Sequence, residues 1–306
     1  MSKIQSIIEN LKSINVQEDN ARERIEEILK NVGGVAFVEV TLDIGNAFIR
    51  ARPNKRMDNE EYETFINFSD LNFKPQAVNE CYQRASTPNK TMFYGVIVPT
   101  KIIEGVNPRC VGMLEALPSF RNKTLQGIKK ITYGKWTLIK PIKLLAIIPR
   151  DKFIDASKYL KELDEAYQTF LSNAEINLKN KSISFFDFLA EKFSEANIQD
   201  HKDYMISAIY SEIVTNKRFD GIMYPSVRAA GKGFNVAITE ETALKSIKLS
   251  AAGENFIYKN KGNTKIFPHS RAEFIENEKI KFVKDSNYKS KEECLKELNV
   301  IYLPEL

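Results

Sequence analysis

Residues 219–228 read Phe219-Asp220-Gly221-Ile222-Met223-Tyr224-Pro225-Ser226-Val227-Arg228, and a short stretch later comes Gly233-Phe234-Asn235-Val236-Ala237. The apolar run Gly221 to Tyr224 predicts a strand that Pro-Ser ends. A loop carrying Gly231-Lys232-Gly233 follows, and Val236 to Ile238 predicts a second strand entered through Asn235. Polar residues at strand ends are held by the scaffold and reachable from the loop, a usual setting for a cleft. Taken alone, Pro225-Ser226 marks only a turn.

Upstream of this segment, Asp155 to Asn216 carries helical apolar stripes: Leu160, Leu163, Tyr167, Phe170 and Leu171, then Phe185, Phe188 and Leu189, then Met205, Ala208, Ile209 and Ile213. Earlier still, short β-prone runs occur at 35–40, 48–52, 92–98, 136–139 and 142–148, with Asp43-Ile44-Gly45-Asn46 as a turn between the first two. Residues 53–91 are polar and punctuated by proline. At the N-terminus, Ile4, Ile7, Ile8 and Leu11, then Ile25, Ile28, Leu29 and Val32, predict two helices ended by Gly33-Gly34. Downstream, strands are predicted at 246–249 and 256–259, and a short helix at 291–298.

These elements predict an α+β fold in one domain. A helical segment occupies 1–34, the main domain 35–260 carries a helical insertion at about 154–216, and 261–306 is an extension packed on the same domain. With 43% hydrophobic and 28% charged residues, the chain is ordinary globular material rather than disordered. The longest apolar stretch, within 142–149, is too short for a bilayer and reads as a buried strand. Residues 1–4 open no apolar signal core, and Cys81, Cys110 and Cys294 are odd in number and far apart, which fits free thiols in the cytoplasm. The net charge of +5 comes from bases interleaved with acids, which excludes a dense nucleic-acid track but admits a local basic pocket.

Several chemistries are missing from the sequence. His201 and His269 are far apart and away from the cysteines, so no zinc site is expected. No phosphate loop, dinucleotide fingerprint or Gly-x-Ser-x-Gly elbow is present. An enzyme built from this chain works with Arg, Tyr, Glu and Ser. Arg50 and Arg52, two apart in a predicted strand, point the same way and suit bidentate binding of a phosphate or carboxylate; an exposed strand face explains them as well. Arg84 precedes Tyr94-Gly95 by ten residues, and Glu115 is an acid inside the apolar run 113–117, where burial demands a partner or a role.

Together, Phe-Ile-Arg-Ala-Arg at 48–52, Arg84, Phe-Tyr-Gly at 93–95, Glu115, Asp-Gly-Ile-Met-Tyr-Pro-Ser at 220–226 and Asn-Val-Ala at 235–237 resemble the RES domain family, over roughly residues 46–240. Arg84 is followed by Ala85-Ser86, where the family pattern has an Asn, and Glu104 competes with Glu115 for the place of the acid. The resemblance implies a split mixed β-sheet similar to ADP-ribosyltransferases, with peripheral helices. It also implies a toxin-like enzyme that cleaves the nicotinamide–ribose bond of NAD⁺, by water or with inorganic phosphate as co-substrate, and needs no metal. An antitoxin protein is the partner it implies. Arg84, Tyr94, Glu115 and Ser226 are its expected catalytic residues, and Arg50, Arg52 and Asn235 its NAD⁺-binding ones. Alternatives within the same resemblance are transfer of ADP-ribose to a protein and a catalytically silent NAD⁺-binding module.

Overall fold

In the computed structural model, which describes residues 2–58, 61–99 and 107–306, the helices are α1 Lys3–Lys12, α2 Ala21–Lys30, α3 Pro108–Ala116, α4 Arg150–Phe153, α5 Lys158–Ser172, α6 Ile176–Phe193, α7 Met205–Thr215, α8 Glu240–Ser246 and α9 Lys291–Glu297. The strands are β1 Val38–Leu42, β2 Ala47–Pro53, β3 Met92–Val98, β4 Gln126–Leu138, β5 Ile142–Ala146, β6 Gly221–Pro225, β7 Phe234–Thr239, β8 Ile247–Asn260, β9 Asn263–Ile275 and β10 Lys279–Lys284. The α+β class stands. None of the described helices is long and apolar enough to cross a membrane.

Where one domain was expected, the chain forms two units: Met1–Asp43 with Lys74–Tyr94 and Lys140–Ser246, and Ile44–Phe73 with Gly95–Ile139 and Ile247–Leu306. The first unit carries strands in the order β1-β5-β6-β7. β1 runs antiparallel to β5, β5 parallel to β6, and β6 antiparallel to β7. A parallel neighbour requires a crossover, and the helical stretch 150–215 supplies it. The turn at Asp43-Ile44-Gly45-Asn46 does not join a pair of strands: β1 pairs with β5, and the boundary between the units falls at Asp43/Ile44. β6 is buried along its whole length and β7 in all but its last residue, which is why both read as continuous apolar runs.

The N-terminal helices belong to this unit's core rather than to an appendage. Ile4, Ile8 and Leu11 of α1 and Ile25 and Leu29 of α2 pack in one cluster with Phe185 and Leu189 of α6, Ile209 of α7, and Leu145, Ile222 and Ala237 of the sheet. Ser2 caps α1 by accepting from Gln5 N at 3.2 Å. Gly221, at the start of β6, permits a close approach to β7. A Cβ there would stand 2.2 Å from the Ala237 carbonyl oxygen of β7.

The second unit is antiparallel, in the order β3-β2-β4-β8-β9-β10, with the C-terminal half of β3 at its start. β8 is one strand where two were predicted, and β9 and β10 lie in the stretch expected to be an extension. Helix α3 covers the face of β2 that bears Ile49 and Ala51. Met113, Leu117 and Phe120 join Ile49, Ile131, Tyr133 and Ile257 in that core, and a Cβ on Gly112 would meet Ala51 Cβ at 3.4 Å. The chain end adds a short edge, with Ile128 N donating to Pro304 O at 2.7 Å and Leu306 N to Ile128 O at 2.9 Å.

Candidate functional site

The seven expected site residues divide between the units: Arg84, Tyr94, Ser226 and Asn235 in the first, Arg50, Arg52 and Glu115 in the second. Glu104 lies outside the described residues.

In the first unit, residues 79–90 form a loop whose internal bonds leave it little freedom. Gln83 N donates to Ser86 O at 2.8 Å, and Asn79 Nδ2 to Thr87 O at 2.8 Å. The Tyr94 hydroxyl, carried by β3, accepts from Ala85 N at 3.1 Å and shares a hydrogen bond of 2.8 Å with Ser86 Oγ. The phenol therefore positions the loop that presents Arg84.

The Arg84 side chain is buried, with 8% of the residue exposed. Its guanidinium donates through Nη1 to Phe193 O and through Nη2 to Glu195 O at 3.0 Å, and it stands 5.0 Å from the ring centre of Tyr204. These carbonyls are at the C-terminal end of α6, which carries partial negative charge and lacks helical donors. The geometry makes Arg84 a cap on α6.

The second motif loop reaches the same place. Arg228 Nη1 donates to Ala196 O at 2.9 Å, so Arg84 and Arg228, one from each motif segment, hold the carbonyls of Phe193, Glu195 and Ala196. Ser226 is fully buried. Its Oγ accepts from Ala229 N at 3.1 Å, its N donates to Gly233 O at 3.0 Å, and its carbonyl accepts from Gly231 N at 2.8 Å. The loop turns through left-handed backbone at Ala230, Gly231 and Gly233, with φ of 52°, 82° and 72°. Asn235 on β7 is the register partner of Tyr224 on β6 and is buried.

Sequence reasoning did not single out Glu212. It lies on α7, whose residues 205–211 are all buried. Glu212 Oε2 accepts from Thr87 Oγ1 at 2.6 Å and pairs with Arg22 at 3.0 Å, while Oε1 pairs with Lys90 at 2.8 Å. Burial alone would raise this carboxyl's pKa, but the bonds from Lys90, Thr87 and Arg22 outweigh it and hold it below its usual range. An acid within a helix otherwise wrapped in apolar residues was the available signal, because such an acid requires partners. Thr87, Lys90 and Glu212 also line a cavity of 440 Å³, together with Asn216, Glu240 and Glu241.

In the second unit, Arg50 and Arg52 alternate with Ile49 and Ala51, so the arginines face away from α3. Arg52 Nη2 donates to Asn72 O. Burial pushes this guanidinium's pKa down, and the neighbouring Asp70 and Glu63 oppose that. Glu115 sits near the end of α3, half-buried, and its carbonyl accepts from Arg121 Nη2 at 3.0 Å. The sheet thus lies between the arginine-bearing face and the helix that carries Glu115, and the second unit does not gather these three residues on one face. Compared with known proteins, the chain matches no family model and no curated sequence.

Proposed function

We propose that this chain cleaves the nicotinamide–ribose bond of NAD⁺, in the manner the RES resemblance implies. The observation that carries this reading is the shared anchorage of the two motif loops. The Arg84 loop, tied by Tyr94, holds the carbonyls of Phe193 and Glu195, and the Ser226 loop, tied by its own serine, holds that of Ala196 next to them. Two segments far apart in sequence are thereby kept as one rigid construction, which is what a preorganised site requires.

The chemistry places modest demands on the protein. Nicotinamide leaves as a neutral ring, so no acid is needed to protonate it. Stabilising the cationic sugar and orienting the attacking oxygen are the main tasks. On this reading Tyr94 borders the nicotinamide, and Ser226 and Asn235, in the same unit, hold the ribose or the carboxamide. Arg84 acts as a positioning residue, since its donors serve α6. Glu212, neutralised by Arg22 and Lys90, holds the loop.

The test is NAD⁺ consumption by the purified chain, with and without inorganic phosphate, resolving nicotinamide, ADP-ribose and ADP-ribose 1″-phosphate. Turnover that falls on the order of 10²–10³-fold in Ser226→Ala is expected for lost transition-state contacts. Absence of turnover under both conditions refutes the proposal, and label from NAD⁺ appearing on protein in a lysate replaces hydrolysis with ADP-ribose transfer.

A further inference from the structure

The sheet of the second unit ends on β10, and the chain covers only the first part of that edge. Residues 66–68 begin a further antiparallel ladder there. Ile280 N donates to Ile66 O at 2.7 Å and Phe68 N to Glu278 O at 2.9 Å, around the Asn67/Lys279 pair. The next bond of such a ladder runs from Ile66 N to Ile280 O. It is not made, because the Asp70 carboxylate accepts from Ile66 N at 3.0 Å and from Asn67 N at 2.8 Å. The added strand stops after this one step. Alternate residues of an antiparallel strand turn their N–H and C=O to the same side. Ile280 O, Phe282 N–H, Phe282 O and Lys284 N–H therefore face away from β9, and no strand pairs with them among the described residues.

A cavity of 680 Å³ lies at this place. Its wall takes Ile280, Phe282 and Lys284 from one face of β10, and Lys281 and Val283 from the other. Side chains alternate across a strand, so a space bounded by both faces runs along the edge between them. Its polar floor is already satisfied: the Glu254 oxygens are occupied by Ser270 Oγ at 2.5 Å and by Lys130 Nζ at 2.8 Å. Recognition is left to the open backbone groups and to the two faces of β10. One face is apolar, with Ile280 buried and Phe282 half-buried. The other carries Lys279 and Lys281, both exposed and with no carboxylate at ion-pair distance among the described residues.

We propose that this edge accepts an extended segment of a partner protein as an added β-strand, one in which acidic and apolar residues alternate. Its backbone continues the ladder that residues 66–68 break off, its carboxylates fall beside Lys279 and Lys281, and its apolar side chains fall beside Ile280 and Phe282. A second copy of this chain fits badly. β10 laid against itself sets lysine beside lysine, which is destabilising, and lysine on an edge strand is a common guard against such pairing. The edge is independent of the NAD⁺ reading, since β10 lies outside the motif segments.

The full-length protein is titrated with an acetylated, amidated hexapeptide of alternating glutamate and valine. The controls are its lysine–valine counterpart and the acidic peptide N-methylated at every residue, which keeps the side chains and removes the donors. Amide hydrogen exchange at Phe282 and Lys284 gives the local readout. The acidic peptide is expected to bind with a Kd of about 0.1 mM or tighter, and at about 1 mM to slow exchange at both amides roughly tenfold. N-methylation is expected to weaken binding about tenfold or more, through the lost hydrogen bonds. Lys279→Glu combined with Lys281→Glu, at two exposed positions that leave the fold intact, is expected to weaken the acidic peptide about tenfold and to favour the lysine peptide. Failure of the acidic peptide to bind at about 1 mM, or binding that leaves both amides unprotected, overturns the proposal. Equal binding by either control peptide, or by the charge-reversed variant, does the same. Protection that appears without peptide and grows with protein concentration names a second copy as the occupant and overturns it as well.

Discussion

Arg84→Met removes the guanidinium while keeping a long apolar stem. The structure then predicts a fold defect, because the carbonyls of Phe193 and Glu195 lose their donor at a site where Arg84 itself is 8% exposed. Each buried carbonyl left without a partner costs about 1–3 kcal/mol. Loss of the contact over Tyr204 adds about 0.5–2 kcal/mol, and release of the arginine's own desolvation offsets part of the sum. A net loss of about 3–4 kcal/mol is expected, large for a single substitution. Arg84→Lys retains the charge but not the fork, and loses roughly half as much. Urea unfolding should be followed by far-ultraviolet circular dichroism, because the single tryptophan, Trp136, reports the second unit whereas most helices lie in the first. A stability loss below about 1 kcal/mol, with NAD⁺ turnover abolished, would refute the reasoning and make Arg84 a ligand contact that the fold does not need.

Gly221→Ala places a methyl where 2.2 Å separates it from the Ala237 carbonyl, and no flexible group can yield. Overpacking of about 2 kcal/mol or more, seen as a fall in Tm of at least ~4 °C, is expected, and an unchanged melting curve would contradict the β6–β7 register. Tyr94→Phe strips the acceptor from the amide of Ala85, a residue that is 1% exposed. A loss of about 1–2 kcal/mol with faster hydrogen exchange at that amide is expected, and unchanged protection there would show that the hydroxyl does not hold the loop. Glu212→Gln tests linkage. Because the folded-state pKa of Glu212 is depressed, its stabilisation is present above the ordinary carboxylate range and is lost as pH falls through the folded value. The wild type should therefore exceed the variant by about 1–3 kcal/mol near neutral pH, and the gap should close in acid; a gap independent of pH counts against the ion cluster.

Where periodicity and burial coincide, the sequence was legible. The stripes of α1 and α2, the bounds of β3 and the apolar runs of β6 and β7 are local patterns that tertiary contacts reinforce. β8 was divided into two strands because Ser250 to Gly253 are small or polar. Pairing with β4 on one side and β9 on the other carries the strand through them, with a bulge at Glu254/Asn255. β10 was hidden by its charges, since an edge strand is rich in lysine for the same reason that makes it resemble a loop.

For the candidate site, the sequence by itself determined which residue types stand near which: two alternating arginines on one strand, a serine and an asparagine at facing strand ends, a tyrosine close after the Arg84 loop. Only the tertiary structure decided what each side chain does. Arg84 turned from a free cation into a helix cap because the end of α6, more than a hundred positions away, presents carbonyls to it. Glu115 was separated from Arg50 and Arg52 because α3 packs on the opposite face of β2. The Lys130–Glu254–Ser270 group had no local signature, because its members come from distant segments. Hydrogen bonds and ion pairs depend on atoms within about 3 Å of each other, and distance along the chain carries no information on that scale.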